Sequence, residues 1–158
     1  MRKLFTSGLA VVAGMVSAPI LTPEQQPANQ TAEYRQDPRF HSLREFFRKA
    51  GSPAKEYAVV FLQAADDYGL DWRLLPSLAF VESGGGKAAL RNNWFGWDSG
   101  RATFSSPGAG IHVTGFRIAF SELYRRKNLT EILAKYNPGA EYARTVRSVM
   151  RRIAPTAN

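Results

Sequence analysis

The 158-residue sequence contains no cysteine. That absence excludes a disulfide framework, a thiolate nucleophile and any cysteine-ligated metal. Histidine is nearly as scarce. His41 and His112 are the only two, and neither lies in a ligand-spaced cluster, so a Ser-His-Asp site and a zinc site both lack their imidazoles. No metal or other cofactor is expected. Acids are outnumbered, 13 against 21 lysines and arginines, which gives a formal net charge of +8. There is no internal repeat, and the length together with 44% hydrophobic content suits one globular core plus tails.

The chain opens Met1-Arg2-Lys3 and continues LFTSGLAVVAGMVSA, a basic start followed by an apolar segment of the length of an export signal's core. Residues 1–18 are therefore expected to be a signal peptide or an N-terminal membrane anchor, and the protein to be exported to the periplasm or cell envelope. Val16-Ser17-Ala18 suits a signal peptidase, whereas Pro19 directly after the cut suits it poorly, so anchoring stays open. Residues 19–38, rich in Pro, Gln, Asn and Thr, read as a flexible linker. Two of the 21 basic residues and none of the 13 acidic ones lie in residues 1–18, so the remainder keeps a net charge of +6. A basic exported domain favours an anionic partner such as a membrane surface or a wall polymer. Export argues against nucleic acid, and the basic residues are scattered except at Arg125-Arg126-Lys127 and Arg151-Arg152.

Residues 39–155 read mostly as helices with recognisable ends. Ser42-Leu43-Arg44-Glu45 fits a capping box, and Gly51 closes a short helix carrying Phe46 and Phe47. Ser52-Pro53 starts a strongly amphipathic helix through Tyr57, Val60, Phe61, Ala64, Ala65 and Tyr68 to Gly69. Asp71 caps a third helix through Leu74, Leu75, Leu78 and Val81, which Pro76 kinks or delays. Ser106-Pro107 opens a helix running to Tyr124, Asn128–Tyr136 a short one, and a last helix carries Tyr142, Val146, Val149 and Ile153.

Glu82 ends the third helix in the stretch FVESGGGK. It lies four residues after Leu78 and seven after Leu75, on the same helical face. An acid on an apolar face, in a last turn where the helix dipole disfavours negative charge, is placed to hold and donate a proton. Gly84 can take the left-handed cap conformation, and Gly85 and Gly86 permit close approach of other backbone or a substrate. A phosphate-binding loop is rejected, because Val81 and Ala88 occupy its two diagnostic positions.

The segment NNWFGWDSGRATFSS, residues 92–106, predicts a short β-hairpin around Asp98-Ser99-Gly100. Trp94, Phe95 and Trp97 crowd it, and indole faces can stack on sugar rings. At least one of the three, Phe95 above all, is expected to fill the core.

Several of these stretches in order resemble the bacterial glucosaminidase domain of the lysozyme-like superfamily, a relative of lytic transglycosylases. They are Gly69-Leu70-Asp71, Leu74-Leu75 through Val81-Glu82-Ser83-Gly84, Asn92-Asn93-Trp94-Phe95-Gly96, Phe104-Ser105-Ser106, and Tyr136-Asn137-Pro138 with Tyr142 and Val146. The resemblance covers roughly residues 42–153. It implies a mainly α, lysozyme-like α+β fold with one small β-hairpin beside the active-site cleft. It also implies cleavage of β-1,4 bonds between N-acetylglucosamine and N-acetylmuramic acid in peptidoglycan glycan strands, by a monomer with no metal. Glu82 matches the family's general acid. Asp98 stands where related enzymes often place a second acid, and Tyr136 would orient the substrate. Ser83, Asn93, Trp94, Phe95, Trp97 and Asn137 are the substrate-binding candidates. The family often has Trp where Gly85 stands, and the transglycosylase Gly-Leu-Met-Gln segment is replaced by Phe95-Gly96-Trp97-Asp98. Three alternatives remain: a lytic transglycosylase, in which the muramic acid's own hydroxyl attacks, a noncatalytic wall-binding protein, and a binder of nucleic acid or membrane surfaces through the basic charge.

Overall fold

A computed structural model of the protein describes residues 25–155. The described residues form seven α-helices: α1 (Gln25–Gln36), α2 (Pro38–Lys49), α3 (Ala58–Tyr68), α4 (Leu74–Ser83), α5 (Pro107–Phe120), α6 (Leu129–Tyr136) and α7 (Ala140–Ile153), with a 3-10 turn at Pro53–Tyr57. None of these is long and apolar enough to cross a membrane. The expectations for residues 1–18 and 19–24 lie outside the described residues.

Helix α4 is the axis. Leu74, Leu75, Pro76, Ser77, Leu78 and Ala79 are all buried, so the helix is covered on every side, as a helix apolar all round must be. It packs against α3, α5 and α7. Asp71 accepts the Arg73 N–H at 2.9 Å and the helix begins at Leu74. Pro76 thus falls in the first turn, where its missing N–H removes no intrahelical bond, and it delays the helix rather than kinking it.

Local signals set most helix ends. Gly51, Gly69 and Gly84 all take positive φ at the ends of α2, α3 and α4. Ser106 caps α5 through Ala109 N–H, and Asn128 and Glu131 form a reciprocal capping box on α6. The Ser42–Glu45 box, by contrast, is not used. Asp37 accepts the Arg39 N–H at 2.8 Å and Pro38 takes the first helical position, so α2 starts five residues earlier than expected. Ser42 is then inside the helix, and Glu45 pairs with Arg48 at 2.7 Å.

Two further expectations are corrected. Much of the predicted linker is helix α1, held by specific polar bonds in place of a large apolar face. The Tyr34 hydroxyl donates to Asp66 at 3.1 Å, while Arg39 bridges Asp37 and Asp66, each at 2.7 Å. The predicted hairpin is absent, because the described residues contain no strand. Residues 91, 92, 98 and 99 join Gly96 and Gly100 at positive φ, a run of left-handed turns that cannot extend into a ladder. A single backbone bond, Phe104 N–H to Arg91 O at 3.0 Å, closes the base of the loop, and the Asn92 side-chain amide donates to Phe104 O at 2.9 Å.

The α4 stop is built tightly. A Cβ on Gly85, at φ +67°, would lie 2.3 Å from Ser52 Oγ, 3.0 Å from Phe47 and 3.1 Å from Ala54. Gly85→Ala is therefore expected to cost about 3 kcal/mol in urea unfolding, combining left-handed strain with overpacking. Gly69→Ala, with nothing within 4 Å of the added methyl, should cost only about 1 kcal/mol; equal costs would refute the packing argument. The α1 clamp predicts acid sensitivity. Hydrogen bonds from Arg39 hold the Asp37 and Asp66 carboxyls below their ordinary range. A lowered folded value stabilises above the unfolded value of about 3.9 and is lost as pH falls through the folded one. NMR signals of α1 and Tyr34 should thus leave their native positions in acid before those of α3. Simultaneous loss would show that the clamp does not hold α1.

Candidate active site

Glu82 occupies the last turn of α4, and the helix end beneath it is fixed from three directions. Gly84 caps at φ 64°, ψ 30°, with Gly84 N–H on Phe80 O at 2.9 Å and Gly85 N–H on Ala79 O at 3.0 Å. The buried Ser83 hydroxyl lies 3.0 Å from Ala79 O and 2.9 Å from Trp94 O, and accepts Gly86 N–H at 3.0 Å. Its one proton is shared between two carbonyls, so a single side chain ties the helix stop to the loop opposite.

The carboxylate itself is exposed. Spacing put it on the side of Leu75 and Leu78, but α4 emerges from the core in its last turn, and helical phase fixes direction without fixing depth. Glu82 Oε1 accepts the Tyr142 hydroxyl at 2.7 Å. Glu82 Oε2 lies 2.8 Å from the point a Cβ on Gly96 would occupy, so a side chain there, at φ +69°, would push the carboxylate out of this pose. Burial, then the hydrogen bond to Glu82, pushes the Tyr142 phenol far above its ordinary range, and it remains a donor. Burial followed by the Glu82 charge does the same for Tyr136, whose hydroxyl donates to Phe95 O at 2.6 Å.

From Glu82 an aromatic ledge runs outward. The Tyr142 ring stacks on Tyr136 with centroids 6.0 Å apart and planes 9° from parallel, and Trp97 lies 5.3 Å beyond. Trp97 donates its indole N–H to Thr114 Oγ1 at 2.8 Å, and the exposed Arg117 guanidinium sits 4.6 Å over its ring. The ledge is partly open, so its faces and Arg117 can meet a flat ligand beside the acid.

The predicted site residues divide accordingly. Glu82, Tyr136 and Trp97 come together. Trp94 and Phe95 are buried, Trp94 edge-on to Tyr57 at 5.0 Å, so neither ring offers a free stacking face. Asn93 is buried as well, accepting Trp97 N–H at 3.0 Å and donating to Trp97 O at 2.9 Å. Ser83 and Asn93 therefore build the site rather than line it. Asn137 accepts Gly139 N–H at 3.0 Å and shapes the turn into α7 that delivers Tyr142. Asp98 stands exposed in its turn, paired with Arg101 at 2.8 Å. Among the described residues no group of three or more His, Asp or Glu could hold a metal ion. Sequence reasoning gave Tyr142 no role at the acid, although its place in the first turn of α7 was a usable signal. It also passed over Arg117, which interrupts the apolar pattern of α5.

No protein-family model, curated protein or solved structure matches this chain.

Asn93→Ala would leave the backbone N–H of Trp97 without its partner, while Trp97 O keeps the Gly100 and Ala102 N–H groups. It should cost about 1–3 kcal/mol in urea unfolding and raise amide exchange at Trp97. Native stability and exchange in that variant would instead return Asn93 to the surface-binding role.

Proposed function

We propose that the chain is a peptidoglycan glycosidase of the bacterial glucosaminidase type, with Glu82 as its general acid. The observation that carries the reading is the pose of Glu82, one oxygen held by Tyr142, the other against Gly96, at the head of the Tyr142–Tyr136–Trp97 ledge. A sugar alkoxide is a poor leaving group. An acid within reach of the bridging oxygen contributes about 10² to 10⁴ in rate by protonating it as the bond breaks. With Oε1 occupied by the Tyr142 hydroxyl, Oε2 is the oxygen left to deliver a proton, and the Tyr142 bond stabilises the carboxylate that forms. The ledge stacks successive sugar rings, and Arg117 adds a cation where stem-peptide carboxylates pass. The protein works as an exported monomer in the periplasm or cell envelope, on β-1,4 bonds between N-acetylglucosamine and N-acetylmuramic acid.

A second reading follows from Asp98. Its carboxylate is engaged by Arg101 on an exposed turn. A one-acid mechanism needs no second carboxylate, because the muramic acid hydroxyl attacks internally and leaves an anhydro end, as in a lytic transglycosylase.

Mass spectrometry of products from purified peptidoglycan tests both readings. Glu82→Gln should lose at least 10²-fold in product formation. New reducing ends indicate water attack and anhydro ends internal attack; Asp98→Asn should spare the second reaction and impair the first. Full turnover by Glu82→Gln would remove the acid. Wall binding with no product from the native chain would make the ledge a binding site only.

A further inference from the structure

The outer side of α5 carries a surface that the glycosidase reading leaves unused. Ile111, Thr114, Gly115 and Ile118 face the core. Opposite them, Phe116 and Phe120 are 57% and 54% exposed, with Val113 at 42% before them and Leu123 at 53% just after the helix. Steps of three and four residues place Val113, Phe116 and Phe120 in one stripe, and Leu123 follows three residues beyond the helix end. The rings are ordered: Phe116 and Phe120 meet at 5.1 Å, and Tyr68 from α3 stands edge-on to each at 6.1 Å. Single exposed apolar residues are ordinary, but a contiguous buttressed stripe marks an interaction surface.

Charge identifies what the stripe meets. Arg125 N–H bonds Ser121 O at 2.8 Å and Lys127 N–H bonds Tyr124 O at 3.1 Å, so tight turns follow α5 and carry Arg125, Arg126 and Lys127 within four residues of Leu123. All three are exposed, and Glu122 pairs with Arg125 at 2.6 Å. An aromatic helix ridge rimmed by cations is the pattern that sinks apolar side chains to headgroup depth while the cations hold anionic lipid. A ridge inserts, whereas a peptide partner would need a groove. The elements also lie in a suitable order. Helix α1, which follows the apolar N-terminal segment, is tied by Tyr34 to Asp66, two residues before the Tyr68 that supports the stripe.

We propose that Val113, Phe116, Phe120 and Leu123, with Arg126 and Lys127, seat the domain on an anionic lipid bilayer. The surface acts independently of Glu82 chemistry, and of whether that chemistry is glycosidic.

The absence of cysteine makes a clean test possible in the full chain. Val113→Cys and, separately, Ser148→Cys on α7 are each labelled with a polarity-sensitive fluorophore and mixed with vesicles of phosphatidylglycerol and phosphatidylethanolamine. The label at position 113 should brighten and shift to the blue, while that at 148 stays unchanged. Phosphatidylcholine vesicles should give little response. Adding Phe116→Ser and Phe120→Ser, both exposed and so tolerated by the fold, should abolish it. Arg126→Ala with Lys127→Ala should weaken the response about thirtyfold, from roughly 1 kcal/mol per surface cation. Vesicle sedimentation with an unmoved label at 113 would show that the N-terminal segment alone binds lipid, and would overturn the proposal. A blue shift without lipid that fades on dilution would also overturn it, because a second copy of the chain would then be the occupant.

Discussion

The hydroxyl of Ser83 is the point on which the site depends. It sits within hydrogen-bonding distance of a carbonyl in its own helix, a carbonyl of the facing loop and an amide of the glycine stop. Buried polar groups are stable only when satisfied, so this one atom requires that α4 end where it does and that the Trp94 backbone cross beside it. The second anchor is Ser52, whose hydroxyl donates to Gly85 O at 2.8 Å from the start of the 3-10 turn. Together the two serines convert a three-glycine stretch, with little conformational preference of its own, into a fixed platform for Glu82.

Around that platform the aromatics divide by depth rather than by type. Trp94 and Phe95 sink beneath the loop and Trp97 stays half open, although all three lie within four residues. The clamp from Asn93 onto Trp97 creates this division, since it turns the loop back on itself between the buried and the open indole. The basic surface is divided too. Arg117 lies over Trp97 on the ledge, whereas Arg125–Lys127 follow the end of α5. One helix thereby carries both a cation over the ledge and an exposed apolar stripe.

What was legible in the sequence was local. Glycines that stop helices and Ser-Pro or Asn caps act within one turn, so Gly51, Gly69, Gly84, Ser106 and Asn128 could be read from their neighbours. The Ser42 capping box misled because a stronger Asp37-Pro38 start stood just upstream, inside a stretch whose polarity suggested no structure. The hairpin misled because Arg91, Asn92, Asp98 and Ser99 adopt left-handed backbone, which their residue types only weakly favour and tertiary bonds impose. Glu82 was singled out by its position, but its exposure was not legible, because depth depends on how α4 sits among helices distant in the chain. The Tyr142 contact spans 60 residues, a separation that no local pattern encodes.

That separation has a temporal meaning. The platform, the loop and the ledge's Trp97 belong to the first two thirds of the chain, but the phenol that fixes Glu82 arrives only when α7 docks on α4. Contacts so far apart form late, after the cost of closing the intervening loop has been met. A chain still emerging from the ribosome holds its acid without a set orientation. The pose is assembled last, so any chemistry that relies on it stays silent until synthesis and folding are complete.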